Sequence, residues 1–365
     1  MTSRLFAGLA FAVLLAVNAA AQQPSNVPWR FAVSGDSRNC GDVVMPAIAK
    51  SVLQQDAQFY WHLGDYRAIY DFDQDYRQLK PKATISQYES DAWPDFIEHQ
   101  LKPFGDLPVF LGMGNHETIP PKTRPEFLAQ FADWLLTPAL RMQRLADDPS
   151  DHKLRAYNHW IEHNVEMINL DNASEDQFDD DQLKWFKRVL DRAAKEPTVQ
   201  SVVVGMHEAL PDSLSAGHSM NESARGTLSG RAVYDQLVAF RRSSAKPVYV
   251  LASHAHFFMS DVYATACRAK DDVLPGWIVG TAGAVRYRLP KGVAESKDAI
   301  PDTYGYLLGT AASDGTISFV FKKIVETDVP DPVVRQYSQE FVHKCFDDNK
   351  STYVPDGPIC DKARQ

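Results

Sequence analysis

Six short apolar runs in this chain each end on a polar residue of the kind that does chemistry, and that recurrence narrows the fold more than any other feature. Trp29 to Ser34 runs into Gly35-Asp36, Gln58 to Leu63 into Gly64-Asp65, and Val109 to Met113 into Gly114-Asn115. Val165 to Leu170 ends at Asp171, Val199 to Gly205 leads to His207, and Val248 to Ala252 leads to His254. Apolar runs of this length, bounded by turn residues, read as buried strands. Between them lie helical patterns over Asp42 to Gln55, Asp181 to Ala194 and Gly230 to Arg242; the second opens with acids and closes with bases, which suits the helix dipole. Alternating strands and helices make an α/β protein. In such folds ligands bind beyond the carboxyl ends of the strands, where all six polar residues fall.

After His256 the texture changes. Phe257 to Tyr263, Gly276 to Val279, Tyr304 to Gly309 and Ile317 to Val325 read as strands between turn-rich stretches, and predict a second, more antiparallel sheet. No linker interrupts 22–330, which reads as one domain with inserts at about 67–107 and 118–156 and a tail over 331–365. Inserts at such a rim commonly carry selectivity.

The first residues have the form of a secretory signal. Arg4 precedes an apolar run from Leu5 to Val17, and Ala19-Ala20-Ala21 supplies the small residues of a cleavage site, so 1–21 is expected to be removed on export. The run is too short for the ~20 residues that span a bilayer, so no stable membrane anchor is expected. An exported chain meets an oxidising compartment, be it periplasm or extracellular space. Its four cysteines, Cys40, Cys267, Cys345 and Cys360, allow three pairings. A local staple of Cys345 to Cys360 across the tail would leave Cys40 with Cys267. With 38 basic and 47 acidic side chains the formal charge is −9; that balance argues against a nucleic-acid duplex as partner, which favours a basic face.

The strand-end groups are Asp36, Asp65, Asn115 with His116, His207, and His254 with His256. Carboxylates, an amide oxygen and imidazoles form a mixed oxygen and nitrogen donor set that suits Mn, Fe or Zn better than Mg or Ca. A bridging carboxylate can hold two such ions about 3.5–4 Å apart, and the pair polarises a phosphoryl oxygen and activates a water.

On these residues the sequence resembles the calcineurin-like metallophosphoesterase family. The matching blocks, in family order, are Gly35-Asp36-Ser37-Arg38, Gly64-Asp65, Gly114-Asn115-His116-Glu117, Met206-His207 and Ser253-His254-Ala255-His256. The resemblance implies a four-layer α/β/β/α sandwich of two mixed sheets flanked by helices. It implies that Asp65 bridges two divalent or trivalent transition metal ions, that Asp36 and His256 complete the first site, and that Asn115, His207 and His254 complete the second. His116 would protonate the leaving oxygen or stabilise the transition state. The implied activity is hydrolysis of a small-molecule phosphate ester by a metal-bound hydroxide, with a phosphomonoester ahead of a phosphodiester, and a catalytically weak metal-binding protein as the alternative outside catalysis.

Three positions depart from the family pattern. Arg38 stands where the first block usually has a ligating His; a guanidinium stays protonated and does not ligate, but it can grip a phosphate oxygen. Ala68 stands where the purple acid phosphatase branch has its tyrosine ligand, so no tyrosinate–iron(III) site is expected. Ser253 replaces a glycine of the last block. Glu117 reads as a hydrogen-bond partner behind the ligands, Asp171 as a structural strand-end residue, and His218 as a loop residue that could touch substrate. Other chemistries fail on the residues: Pro211 breaks the helix that His207-Glu208 would need for a zincin, and no P-loop is present.

Overall fold

The structure, a computed structural model, describes residues 27–360; the leader read at 1–21 lies outside the described residues. Among the described residues, twelve strands form two sheets. The first contains β1 (Trp29–Ser34), β2 (Ala57–His62), β3 (Val109–Leu111), β11 (Tyr304–Ala311) and β12 (Ile317–Ile324), in the order β12-β11-β1-β2-β3. The second contains β4 (Asn158–Glu162), β5 (Val165–Asn169), β6 (Ser201–Gly205), β7 (Val248–Ala252), β8 (Phe258–Ser260), β9 (Gly276–Val279) and β10 (Ala299–Ile300), in the order β10-β8-β9-β7-β6-β5-β4.

Alternation along each strand explains the layers. In β1 and β2, Ala32 and Tyr60 face a helical layer built on Gly41–Gln54, whereas Phe31, Val33, Phe59 and Trp61 face the other sheet. In β6 and β7, Val202, Val204, Val248 and Val250 face helices Asp180–Lys195 and Ala224–Ser244, whereas Val203, Tyr249 and Leu251 face inward. A strand buried on both faces must be apolar at every position, which is why the sequence shows runs there. The fold is the four-layer sandwich. Its central core is aromatic: Phe110 stacks on Trp160 at 3.9 Å, and Phe59 meets both edge-on.

Two expectations are corrected. The strands after His256 do not form a sheet of their own. β8, β9 and β10 extend the sheet of β4–β7, while β11 crosses over to pair antiparallel with β1, Val33 opposite Leu307. β11 is apolar on both faces, so it suits a place inside a sheet, between β1 and β12. The cysteines also pair differently: Cys40 with Cys345, and Cys267 with Cys360. Helix Gln339–Asp347 buries Val342 and Cys345 in the same core as helix Gly41–Gln54, bringing Cys345 to the start of that helix.

The inserts are helical. The first holds helices Gln74–Leu79 and Ile85–Phe96; the second holds Arg124–Gln130, Ala132–Leu135 and Pro138–Asp147. Trp93, Phe96, Phe127 and Phe131 from them join the helical-layer core. Among the described residues no helix is long and apolar enough to cross a membrane.

Candidate metal centre

Parallel pairing of β1 with β2 and β2 with β3, and of β5 with β6 and β6 with β7, sets the strand carboxyl ends side by side. Backbone bonds then tie the rims of the two sheets together: Gly35 N donates to Val279 O, and Ser253 Oγ donates to Leu63 O. Asp36, Asp65 and His254 adopt φ of 61°, 62° and 66°, the left-handed region that non-glycine residues seldom occupy. Strain of this kind persists where surrounding bonds over-determine it and clusters at functional sites. Here each turn is held: Asp36 Oδ2 accepts from His254 N at 2.7 Å, and Asp65 Oδ1 accepts from His116 N at 3.0 Å.

Four donor atoms converge. His207 Nε2 lies 3.3 Å from Asp65 Oδ1, 3.1 Å from Asn115 Oδ1 and 3.0 Å from His254 Nδ1. His207 Nδ1 donates to Leu63 O at 2.9 Å, which turns the Nε2 lone pair inward. Lone pairs packed this closely repel unless a cation sits among them. Burial works to lower the His207 pKa, but Asp65 and Asp36 overcome it and push it to about 10. The pocket therefore draws one positive charge to this point, and a metal ion that displaces the proton meets that demand. His254 is driven the other way, by burial and by His207. These residues fit an ion.

The remaining positions differ. His256 Nδ1 donates to Val285 O at 2.7 Å, and its Nε2 lies 3.2 Å from Asp36 Oδ1 and accepts from Arg38 Nη2 at 3.0 Å. Arg38 Nη1 also donates to His116 Nε2, and Arg38 Nε lies 3.8 Å from Asp65 Oδ2. His116 Nδ1 donates to Ala68 O at 2.7 Å, so its Nε2 carries a lone pair. Burial and the Arg38 charge hold its pKa down to about 4, although Asp65 pulls the other way.

Glu117 accepts from Asp65 N, Tyr66 N and Gly114 N at 2.8–2.9 Å and so fixes two of the site turns. We expect Glu117→Gln, whose amide would turn N–H groups against those donors, to weaken Mn²⁺ affinity roughly 10–100-fold; isothermal titration giving an unchanged affinity would remove Glu117 from the site. Asp171 belongs to a separate network with Arg124 and Ser174. His218 packs at 5.0 Å from the His254 ring, between Tyr353 and Tyr287. Sequence reasoning missed Tyr287, stacked on His256 at 4.1 Å, and Tyr353 beside His218; no motif surrounds either. It also missed the carbonyls of Leu63, Ala68 and Val285 that set the imidazole tautomers, which no side-chain pattern can reveal. A cavity of about 750 Å³ between Arg144, Trp185 and Arg192 contains none of the strand-end groups.

Stacked mixed sheets with outer helices, and carboxylate, amide and imidazole donors at the strand ends, define an α/β/β/α protein with a candidate metal centre. A family model described as calcineurin-like phosphoesterase matches residues 30–258. The chain belongs to the calcineurin-like phosphoesterase family. Solved structures are similar to this chain at low identity. The purple acid phosphatase PPD1 from yellow lupin (Lupinus luteus) seeds is 14% identical, with a TM-score of 0.51, over 84% of this chain and 55% of that one. This chain thus spans about half the length of the lupin protein. A structure of PhoD is 15% identical, with a TM-score of 0.47, over 88% and 77% of the two chains. A dimetal phosphatase from Danio rerio is 11% identical, with a TM-score of 0.47, over 80% and 98%. No curated protein matches.

Proposed function

We propose that this protein is an exported phosphatase of small phosphomonoesters. One observation carries the reading: the lone pairs of Asp65, Asn115, His207 and His254 converge beside a buried guanidinium and an imidazole. Asp65, Asn115, His207 and His254 would hold metal, which supplies charge against a phosphoryl oxygen and an activated water. Arg38 adds a fixed positive charge beside it. A monoester dianion carries more charge than a diester anion, so a site with both a metal and an arginine favours the monoester.

His116 is placed to serve the leaving oxygen. In the resting site its Nε2 is unprotonated. A phosphate dianion bound alongside raises the proton affinity of that nitrogen, because a nearby negative charge favours the imidazolium. Tyr70, from the first insert, stands 5.3 Å from the His116 ring, and His218 and Tyr353 stand across the cluster. These rim residues are where substrate selectivity would be set. Two disulfides are compatible with secretion, and with the apolar leader they support export.

The test is hydrolysis of an aryl phosphate monoester, after chelation and after restoring Mn²⁺, with a bis-aryl diester as comparison. Activity should vanish on chelation and return with metal. His116→Ala should lower kcat by at least about 100-fold. Turnover of the diester alone would overturn the monoester assignment. Silence toward both esters from folded, metal-loaded protein would replace the enzyme with a non-catalytic metal protein.

A further inference from the structure

We infer that this chain holds one metal ion where the family's centre is dinuclear, and that the Arg38 guanidinium is the permanent cation of the first site. The inference rests on the metal-binding reading of the cluster, and not on turnover.

The two halves of the centre are built differently. Ligand atoms of Asp65, His207 and His254 all lie within 4.8 Å of one another. Asp36, Asp65 and His256 form no such group among the described residues. The space between them is taken by Arg38. Its Nη2 donates to His256 Nε2, the lone pair that a first ion would need, and its Nη1 donates to His116.

Charge leads to the same result. Asp36 Oδ1 and Asp65 Oδ2 are buried without hydrogen-bond partners. An ion could neutralise them, but the guanidinium already faces Asp65 Oδ2 at 3.8 Å. Two carboxylates are balanced by one divalent ion together with one guanidinium, with a positive charge left over. A second divalent ion would stand against a buried guanidinium in the same low-dielectric space, where like charges repel strongly. Arg38 is 8% exposed, so its head group has no easy retreat to solvent. Asp36 keeps a use without a metal: its Oδ2 holds the strained His254 turn.

The experiment loads the full protein with Mn²⁺ alone, removes the excess by dialysis, and measures metal per chain by mass spectrometry and spin coupling by electron paramagnetic resonance. The expected result is one Mn²⁺ per chain with the spectrum of an isolated ion. Arg38→His should raise this to two and give an exchange-coupled spectrum. Arg38→Leu, which removes the charge without supplying a ligand, should stay at one. Two coupled ions in the unaltered protein would overturn the inference, as would Arg38→His remaining at one. Should Arg38→His not fold, the count and spectrum of the unaltered protein still decide. One ion without hydrolysis would sink the proposed function and leave this inference standing; two ions with hydrolysis would do the reverse.

Discussion

Arg67→Met should destabilise the protein by about 3–5 kcal/mol, the cost of leaving buried charges without their partner. Arg67 is fully buried among four carboxylates. Its Nη1 donates to Asp75 Oδ1 at 3.0 Å and lies 3.6 Å from Asp73 Oδ2, and its Nη2 donates to Asp42 Oδ1 at 2.6 Å and to Asp95. Those acids belong to helix Gly41–Gln54 and to the first insert, and Asp42 also accepts from Tyr337 in the C-terminal region at 2.9 Å. One guanidinium thus joins that helix to the first insert, and Asp42 carries the link on to the C-terminal region. Urea unfolding measures the loss; a change under about 1 kcal/mol would mean that water or protonation replaces the arginine at little cost.

The pH dependence of that variant has a definite sign. Burial raises the pKa of Asp73 and of Asp75, with Asp42 adding to the rise at Asp75, and Arg67 opposes it at both. Without Arg67 these acids rise further, so the folded state binds more protons than the unfolded state above the ordinary carboxylate range. Stability of the variant should therefore fall as pH rises through that window and recover on acidification. The site should suffer too, because Arg67 adjoins Ala68, whose carbonyl orients His116.

Asp65→Asn should leave the fold standing and lower kcat/KM on the order of 10⁴-fold, several kcal/mol of transition-state stabilisation. The substitution keeps an oxygen to accept from His116 N but removes the negative charge that faces His207, His116 and Arg38. Loss of that charge lowers the pull on a cation at His207, so metal content should fall with activity. Retained metal and near-normal turnover would remove Asp65 from the centre of the site.

Much of this is legible in the sequence. β1 and β7 lie where their apolar runs begin and end, since a strand covered on both faces is apolar over its buried length; only Arg30, near the start of β1, is exposed. The polar residue that follows each run marks the rim, and of the residues in the family blocks Asp65, His207 and His254 are brought together there. β4 was not legible: Asn158–Glu162 is an edge strand whose helix-facing side carries the buried His159, held by Glu166 and Asp147, so its pattern is mixed. His218 was legible as a loop residue that could touch substrate, but not its place beside His254 and Tyr353, which joins segments far apart in sequence.

The sequence by itself determined the α/β class, the order of the strand ends and the identity of the groups gathered there, because these follow from local hydrophobic pattern and side-chain chemistry. Tertiary structure alone decided which sheet β11 joins, which cysteines meet, and what Arg38 faces. Each of those is a contact between segments far apart in the chain: β1 with β11, Cys40 with Cys345, Arg38 with His256. No local pattern encodes such a partner; the packing of the two sheets and their helical layers selects it.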